Sequence, residues 1–282
     1  MNWKNVKLLL LALLVAVNLL LGYLIYESFS ETSFTDTVTA KAAANVLEKS
    51  GILVDAEFLA VKNDHAKSFS AEYDREGYLL SVASFLLGEA PNVYLLPNGI
   101  RAENSNGDIA LLSSDLSINF SAAGVDKTSL LTNAPASEEE EILARRTLEA
   151  LLGYPEEAFN RMPVQKSGDV FLISVMQAED NVPLFGFECT FGISNGKIVF
   201  AEGKHAFSVF SEESEAPLLN RINILLSEKS RGKVGKVEQI TLCYTLFEDS
   251  KLGKLYLLPA YAVEYSDKTT SIISAINAEL FE

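Results

Sequence analysis

Histidine, cysteine and tryptophan are almost missing from this chain of 282 residues, which holds two His, two Cys and one Trp. His65 and His205 stand in no H-E-x-x-H or similar spacing that would put two ligands on one helix face, so no motif-borne metal centre is expected. The chain also lacks a G-x-S-x-G nucleophile turn, a Walker loop and a dinucleotide-binding glycine fingerprint. No catalytic, cofactor-binding or metal-binding residue is assigned, and a non-enzymatic role is expected. Cys189 and Cys243 both lie in apolar, strand-like runs; their spacing permits one disulfide but fits two buried thiols better. Positive charge is scarce too. The 23 Lys and Arg face 38 Asp and Glu, for a net charge of −15. Such a surface repels phosphate backbones, whose binding requires Lys and Arg to release counterions, so nucleic acid is excluded as a partner.

The long apolar run is where the sequence is generous. Leu8 to Tyr26 are nineteen residues without a formal charge. That is longer than the roughly 7 to 15 apolar residues of a secretory signal. At about 1.5 Å of rise per residue the run spans roughly 28 Å, near the thickness of a bilayer core. A retained single-pass anchor is expected, with residues 1–7 cytoplasmic, 8–26 in the membrane and 27–36 a polar linker. Lys4 and Lys7 precede the run, whereas "ESFSETSFTD" after it has no cation, which orients the bulk of the chain outside. Trp3 at one end and Tyr23 and Tyr26 at the other suit the two interfaces as anchors. The small-x-small triplet Ala40, Lys41, Ala42 lies too far along, inside an expected helix, to serve as a cleavage site. Asn18 lies near the middle of the span with Gly22 on the same face. The pair reads either as a contact face for a second membrane helix or as an Asn tolerated in a simple anchor.

Outside the membrane the pattern is helix followed by antiparallel meander. A first unit, 37–132, opens with a helix over 37–50 closed by Gly51. Asn98-Gly99 and Asn106-Gly107 mark hairpins. "GYLLSVASFLLG" within it reads as strand or helix. A second region, 137–282, contains two helix–meander units, 137–207 and 215–282. Ser137 with Glu140 makes a capping box, so the acidic run there is a helix start rather than a metal site. Ile142, Leu143, Leu148, Leu151 and Leu152 are the expected buried stripe, and Gly153 with Pro155 the stop. Asn195-Gly196 joins two strands. Pro217 is placed at the start of the last helix, and Pro259 at a strand edge or bulge. The expected fold class is thus α+β: one transmembrane helix, then helix-plus-antiparallel-meander units.

The remaining polar residues carry little. His205 in "EGKHAF" reads as a solvated strand-end residue. The carboxylates Glu179 and Asp180, and Asp108 and Asp115, fall in loops with no evident partner.

"MNWKNVKLLLLALLVAVNLLLGYLIYE" resembles the opening of YycI proteins, of the YycH/YycI family of membrane-anchored regulators. "VPLFGFECTFGISNGKIVFAEGKHAF", "APLLNRINILL" and "GKLYLLPAYAVEYSDKTTSIISAINAEL" follow the order of that family's C-terminal half. Ala260 and Tyr261 depart from it, since the family more often has Trp there. The closing hairpin is also similar to the PepSY domain. The resemblance implies regulation of a sensor histidine kinase of WalK (YycG) type that controls cell-wall metabolism. Contacts would be made by the anchor with the kinase's membrane helices and by the outer domain with a YycH-like partner. It brings no catalytic residues. The alternative is a PepSY-type exported ligand-binding or protease-inhibiting module for which the helix is only a tether.

Overall fold

The computed structural model describes residues 37–60, 65–88, 91–125, 130, 134–153 and 163–281. The span 8–26 and its named residues Trp3, Lys4, Lys7, Asn18, Gly22, Tyr23 and Tyr26 lie outside them. Among the described residues no helix is long and apolar enough to cross a membrane.

In chain order the elements are α1 (Thr37–Lys49), β1 (Ile52–Leu53), α2 (Ala56–Leu59), β2 (His65–Glu72), α3 (Arg75–Leu87), β3 (Asn92–Leu96), β4 (Gly99–Glu103), β5 (Ile109–Ser113) and β6 (Ser117–Ser121). There follow β7 (Ala134–Pro135), α4 (Glu138–Leu152), β8 (Gln165–Ser167), β9 (Val170–Glu179), β10 (Val182–Ser194), β11 (Lys197–Lys204) and β12 (Ser211–Pro217). The chain closes with α5 (Arg221–Ser230), β13 (Gly235–Asp249), β14 (Lys254–Tyr265) and β15 (Thr270–Ser274). The class is α+β, rich in strand and mostly antiparallel.

Contacts divide the described residues into two compact units that are discontinuous in sequence: those up to 67 with 215–241 and 260–281, and those of 68–214 with 242–259. The sequence pattern places consecutive units at 37–132, 137–207 and 215–282. The difference has a specific cause in the larger unit. There β6 pairs antiparallel with β11, from Phe200↔Ser121 to Lys204↔Ser117, which fuses the two expected meanders into one sheet. Helices α3 and α4 share one apolar core against it, with Leu79, Val82, Leu86 and Leu87 from α3 and Ala144 and Leu148 from α4. Each such leucine contributes roughly 1.5–3 kcal/mol of burial, so one shared core outweighs two small ones.

The ambiguous run is helix α3. Its buried residues Leu79, Val82, Ala83, Leu86 and Leu87 keep the helical period. Asp74 caps its start by accepting from the Gly77 N–H at 3.1 Å, and Gly88 ends it in the left-handed conformation. In α4 the capping box is present, with Ser137 N donating to Glu140 Oε2 at 3.0 Å and Ser137 Oγ accepting from Glu140 N at 3.4 Å. The expected stripe is corrected: Ile142 and Leu143 are 46% and 62% exposed. The sheet takes Ala144 and Leu148, four residues apart, with Leu152 partly covered.

Strand β10 is interrupted. Pro183 pairs with Ala178 and Glu188 with Met176, so residues 184–187 leave the β9 ladder at Gly186, whose φ is +76°. Leu184 pairs there with Tyr244 of β13 in parallel. Strand β14 pairs with β2 as far as Leu257↔Phe69 and with β15 from Ala260↔Ser274. Pro259, which has no N–H to give, lies in the gap between these ladders.

In the smaller unit α1 packs on α2, β1 and α5; within the larger unit the helix against β4 and β5 of the meander is α3. Pro217 closes β12 rather than opening a helix; α5 starts four residues on, capped by the Asn220 side chain, which accepts from Asn223 N at 2.8 Å. The Tyr261 hydroxyl donates to Leu219 O at 3.2 Å, and that of Tyr265 donates to the buried Glu228 Oε2 at 3.1 Å.

Candidate functional site

The larger unit carries an open pocket of about 630 Å³ where the end of β2, the first turns of α3 and the segment after β11 meet. Its polar lining is Ser70, Glu72, Asp74, Ser81, Ser208 and Ser211; Tyr78, Phe207 and Val209 supply the apolar side. The Asp74 cap sets the direction of α3, and Tyr78 and Ser81, three residues apart, then project from one face of it.

The segment that forms the far wall is held from below. Gln177, a buried residue of β9, donates from Nε2 to Ala206 O and accepts from Ala206 N at Oε1, both at 2.9 Å. The Tyr78 hydroxyl accepts from Phe207 N at 3.0 Å and donates to His205 O at 3.3 Å. The His205 ring packs edge-on against Phe191 and Phe207, with centroids 5.5 and 4.7 Å apart, and Phe207 meets Phe85 at 5.5 Å. Phe207 is thus presented to the pocket by a fixed backbone.

His205 corrects an expectation, since its side chain is 1% exposed rather than solvated. Sequence context alone could not show that Phe191, fourteen residues earlier, covers it. Burial pushes its pKa down to about 3, so the imidazole is neutral near pH 7. His65, by contrast, is exposed.

Of the carboxylates expected in loops, Glu179 instead ends β9, and Asp108 and Asp115 have structural partners. Asp108 accepts from Ala123 N at 2.7 Å and from Asn104 Nδ2 at 2.8 Å. Asp115 pairs with Lys204 Nζ at 2.9 Å and accepts from Ser117, and these bonds hold its carboxyl below the ordinary range. Burial first, and then Asp180, raise that of Glu179. Cys189 and Cys243 are both buried and not joined, with the Cys189 thiol pushed up to about 12 by burial.

The pocket's own electrostatics are one-sided. Glu72 and Asp74 line it, and no Lys or Arg is among its lining residues. Lys254 approaches Glu72 only to 3.9 Å, and with Glu72 84% exposed this pair contributes little. Arg75 is turned onto Glu248, with Nη2 at 2.7 and 3.0 Å from its two carboxylate oxygens. Hydroxyls and carboxylates over an aromatic wall favour a ligand that donates hydrogen bonds and carries positive charge.

No protein-family model matches the chain, and no curated protein matches it. Several solved structures are distantly similar, including the following two. One is an uncharacterized protein from Eubacterium rectale ATCC 33656, 14% identical over 86% of this chain and 98% of that one, with a TM-score of 0.47. The other is the Bacillus megaterium YpeB C-terminal domain, 9% identical over 75% of this chain and 97% of that one, with a TM-score of 0.32. At these scores neither bears on what the pocket receives.

Sequence reading missed every pocket residue. The four serines are unremarkable in strand and loop, and only Asp74, three residues before Gly77, carried a legible cap signal. Tyr78→Phe, which deletes the hydroxyl bridging residues 205 and 207, should lower stability by about 1–2 kcal/mol in urea unfolding and speed amide exchange at Phe207.

Proposed function

We propose that this chain is a non-catalytic regulatory module, held at the outer face of a membrane by residues 8–26, whose pocket receives a basic segment of a partner protein. The observation that carries this reading is the pocket lined by four serines, Glu72 and Asp74 with no cation among them. A binding module of PepSY type is the coarser form of the proposal. Its finer form takes the partner to be a sensor histidine kinase of WalK type, with a YycH-like protein alongside. That form is supported by the likeness of residues 1–30 to YycI proteins and by Asn18 and Gly22 on one face of the span. A regulator of this kind shifts kinase output only if it binds the kinase's two states with different affinity.

The test is co-purification of the full chain with the kinase in two variants. Asn18→Leu should weaken association and change autophosphorylation. Glu72→Lys, which reverses charge at an exposed site, should weaken binding through the outer domain several-fold. If neither variant changes association or kinase output, the reading fails. Loss in Glu72→Lys alone leaves the module reading with the helix as a tether.

A further inference from the structure

In the larger unit the strand order β8–β9–β10–β11–β6–β5–β4–β3 reads alike from both ends, two meanders joined through their last strands. Their outer edges differ. The segment before α4, β7, covers β8 in antiparallel pairing through Ala134↔Lys166 and Pro135↔Gln165. The segment in the corresponding place before α3 is β2, which pairs with β14 instead. Among the described residues β3 therefore has one partner, β4, on one side only.

That open edge is unlike a protected one. Strand edges are usually blunted by charge, as β12 is by the exposed Glu212 and Glu213. Strand β3, "NVYLL", has no charged residue, and Tyr94, Leu95 and Leu96 are 55%, 77% and 46% exposed. The two-residue turn Pro97-Asn98 closes on the Leu96↔Gly99 pair. Because bonded and non-bonded pairs alternate along an antiparallel ladder, the N–H and C=O groups of Val93 and Leu95 face away from β4.

We propose that β3 is a docking edge for an extended segment of a partner protein, which adds antiparallel along Val93–Leu95 in the place that β7 takes in the other half. The segment is apolar and flanked by Lys or Arg. A net charge of −15 opposes a second copy and attracts a basic partner. This edge is separate from the pocket and does not rest on it.

The probe is a synthetic peptide, Lys-Lys-Val-Thr-Val-Thr-Val-Lys-Lys, added at millimolar concentration to the full chain while amide exchange is followed residue by residue. Exchange at Val93 and Leu95 should slow about tenfold, which corresponds to about 1.4 kcal/mol of added protection. Leu95→Pro removes an outward N–H without touching the β4 ladder and should abolish the slowing at Val93. Leu95→Thr keeps that N–H and should keep the effect. Unchanged exchange at both amides overturns the proposal. So does slowing that appears on concentrating the chain without peptide, which would assign the edge to a second copy. Equal loss in both variants overturns it as well, by making the leucine side chain the determinant.

Discussion

Gly203→Ala should destabilise the protein by more than about 4 kcal/mol, beyond the range of ordinary substitutions. Gly203 has a φ of +135°, and a Cβ built on it would stand 2.2 Å from Glu188 O and 2.7 Å from Cys189 Cα. Both are backbone atoms of β10, the strand with which Gly203 pairs, so no side chain can turn aside to make room. On its other side Gly203 pairs with Ile118 of β6, at the junction of the two meanders. Relief of the clash would require β11 to leave one partner or the other. Gly196→Ala is the control: its φ is +73° and its Cβ meets nothing within 4 Å, so only the left-handed backbone penalty of about 1–2 kcal/mol applies. Urea midpoints for the two variants check the contrast, and a Gly203→Ala protein as stable as Gly196→Ala would show that the junction can slip.

The second large effect is acid lability from His205. The folded protein holds this group at about 3 by burial, below the 6.5 of an unfolded histidine. A depressed pKa means that the unfolded chain binds the proton more readily. Stability from this group is therefore complete above about pH 6.5 and is lost as pH falls toward 3. Three and a half units at 1.36 kcal/mol each amount to about 4–5 kcal/mol over the whole interval. Of this, about 2 kcal/mol should disappear between pH 6.5 and 5, before ordinary carboxylates titrate. Glu179 has the opposite sign, since burial raises its carboxyl and folding then favours its protonated form. His205→Leu, in the same apolar surroundings, should flatten the slope between pH 6.5 and 5. If the slope survives that substitution, buried His205 is not its source.

These two residues show where legibility stops. Several turn and cap signals were readable, because each is written within four residues of chain, but the caps at Asp74 and Asn220 were missed and Pro217 was misplaced. Asn195-Gly196 makes the β10–β11 turn, Asn98-Gly99 marks the β3–β4 hairpin although its two-residue loop is Pro97-Asn98, Ser137 and Glu140 cap α4, and Gly51 follows α1. The acidity of the chain was equally plain, and the pocket shares it. His205 and Gly203 lie in the same "EGKHAF" stretch, yet nothing local distinguishes a solvated histidine from one enclosed by Phe191 and Phe207. The stripe on α4 misled for the same reason. Apolar residues on that helix exceed what one sheet face can cover, and the sheet chose Ala144 and Leu148 over Ile142 and Leu143.

By itself the sequence determined most kinds of element, many of their ends and the α+β class. Those follow from period, capping and turn chemistry, which act over a turn of helix or the width of a hairpin. Only the tertiary structure decided that β6 pairs with β11, that two helices share one core, that α1 joins α5 and that serines from β2, α3 and the 207–211 segment line one pocket. Strand edges carry backbone donors and acceptors that are alike in every residue. Which edge meets which is settled by burial summed over the whole core, and no short stretch of sequence contains that sum.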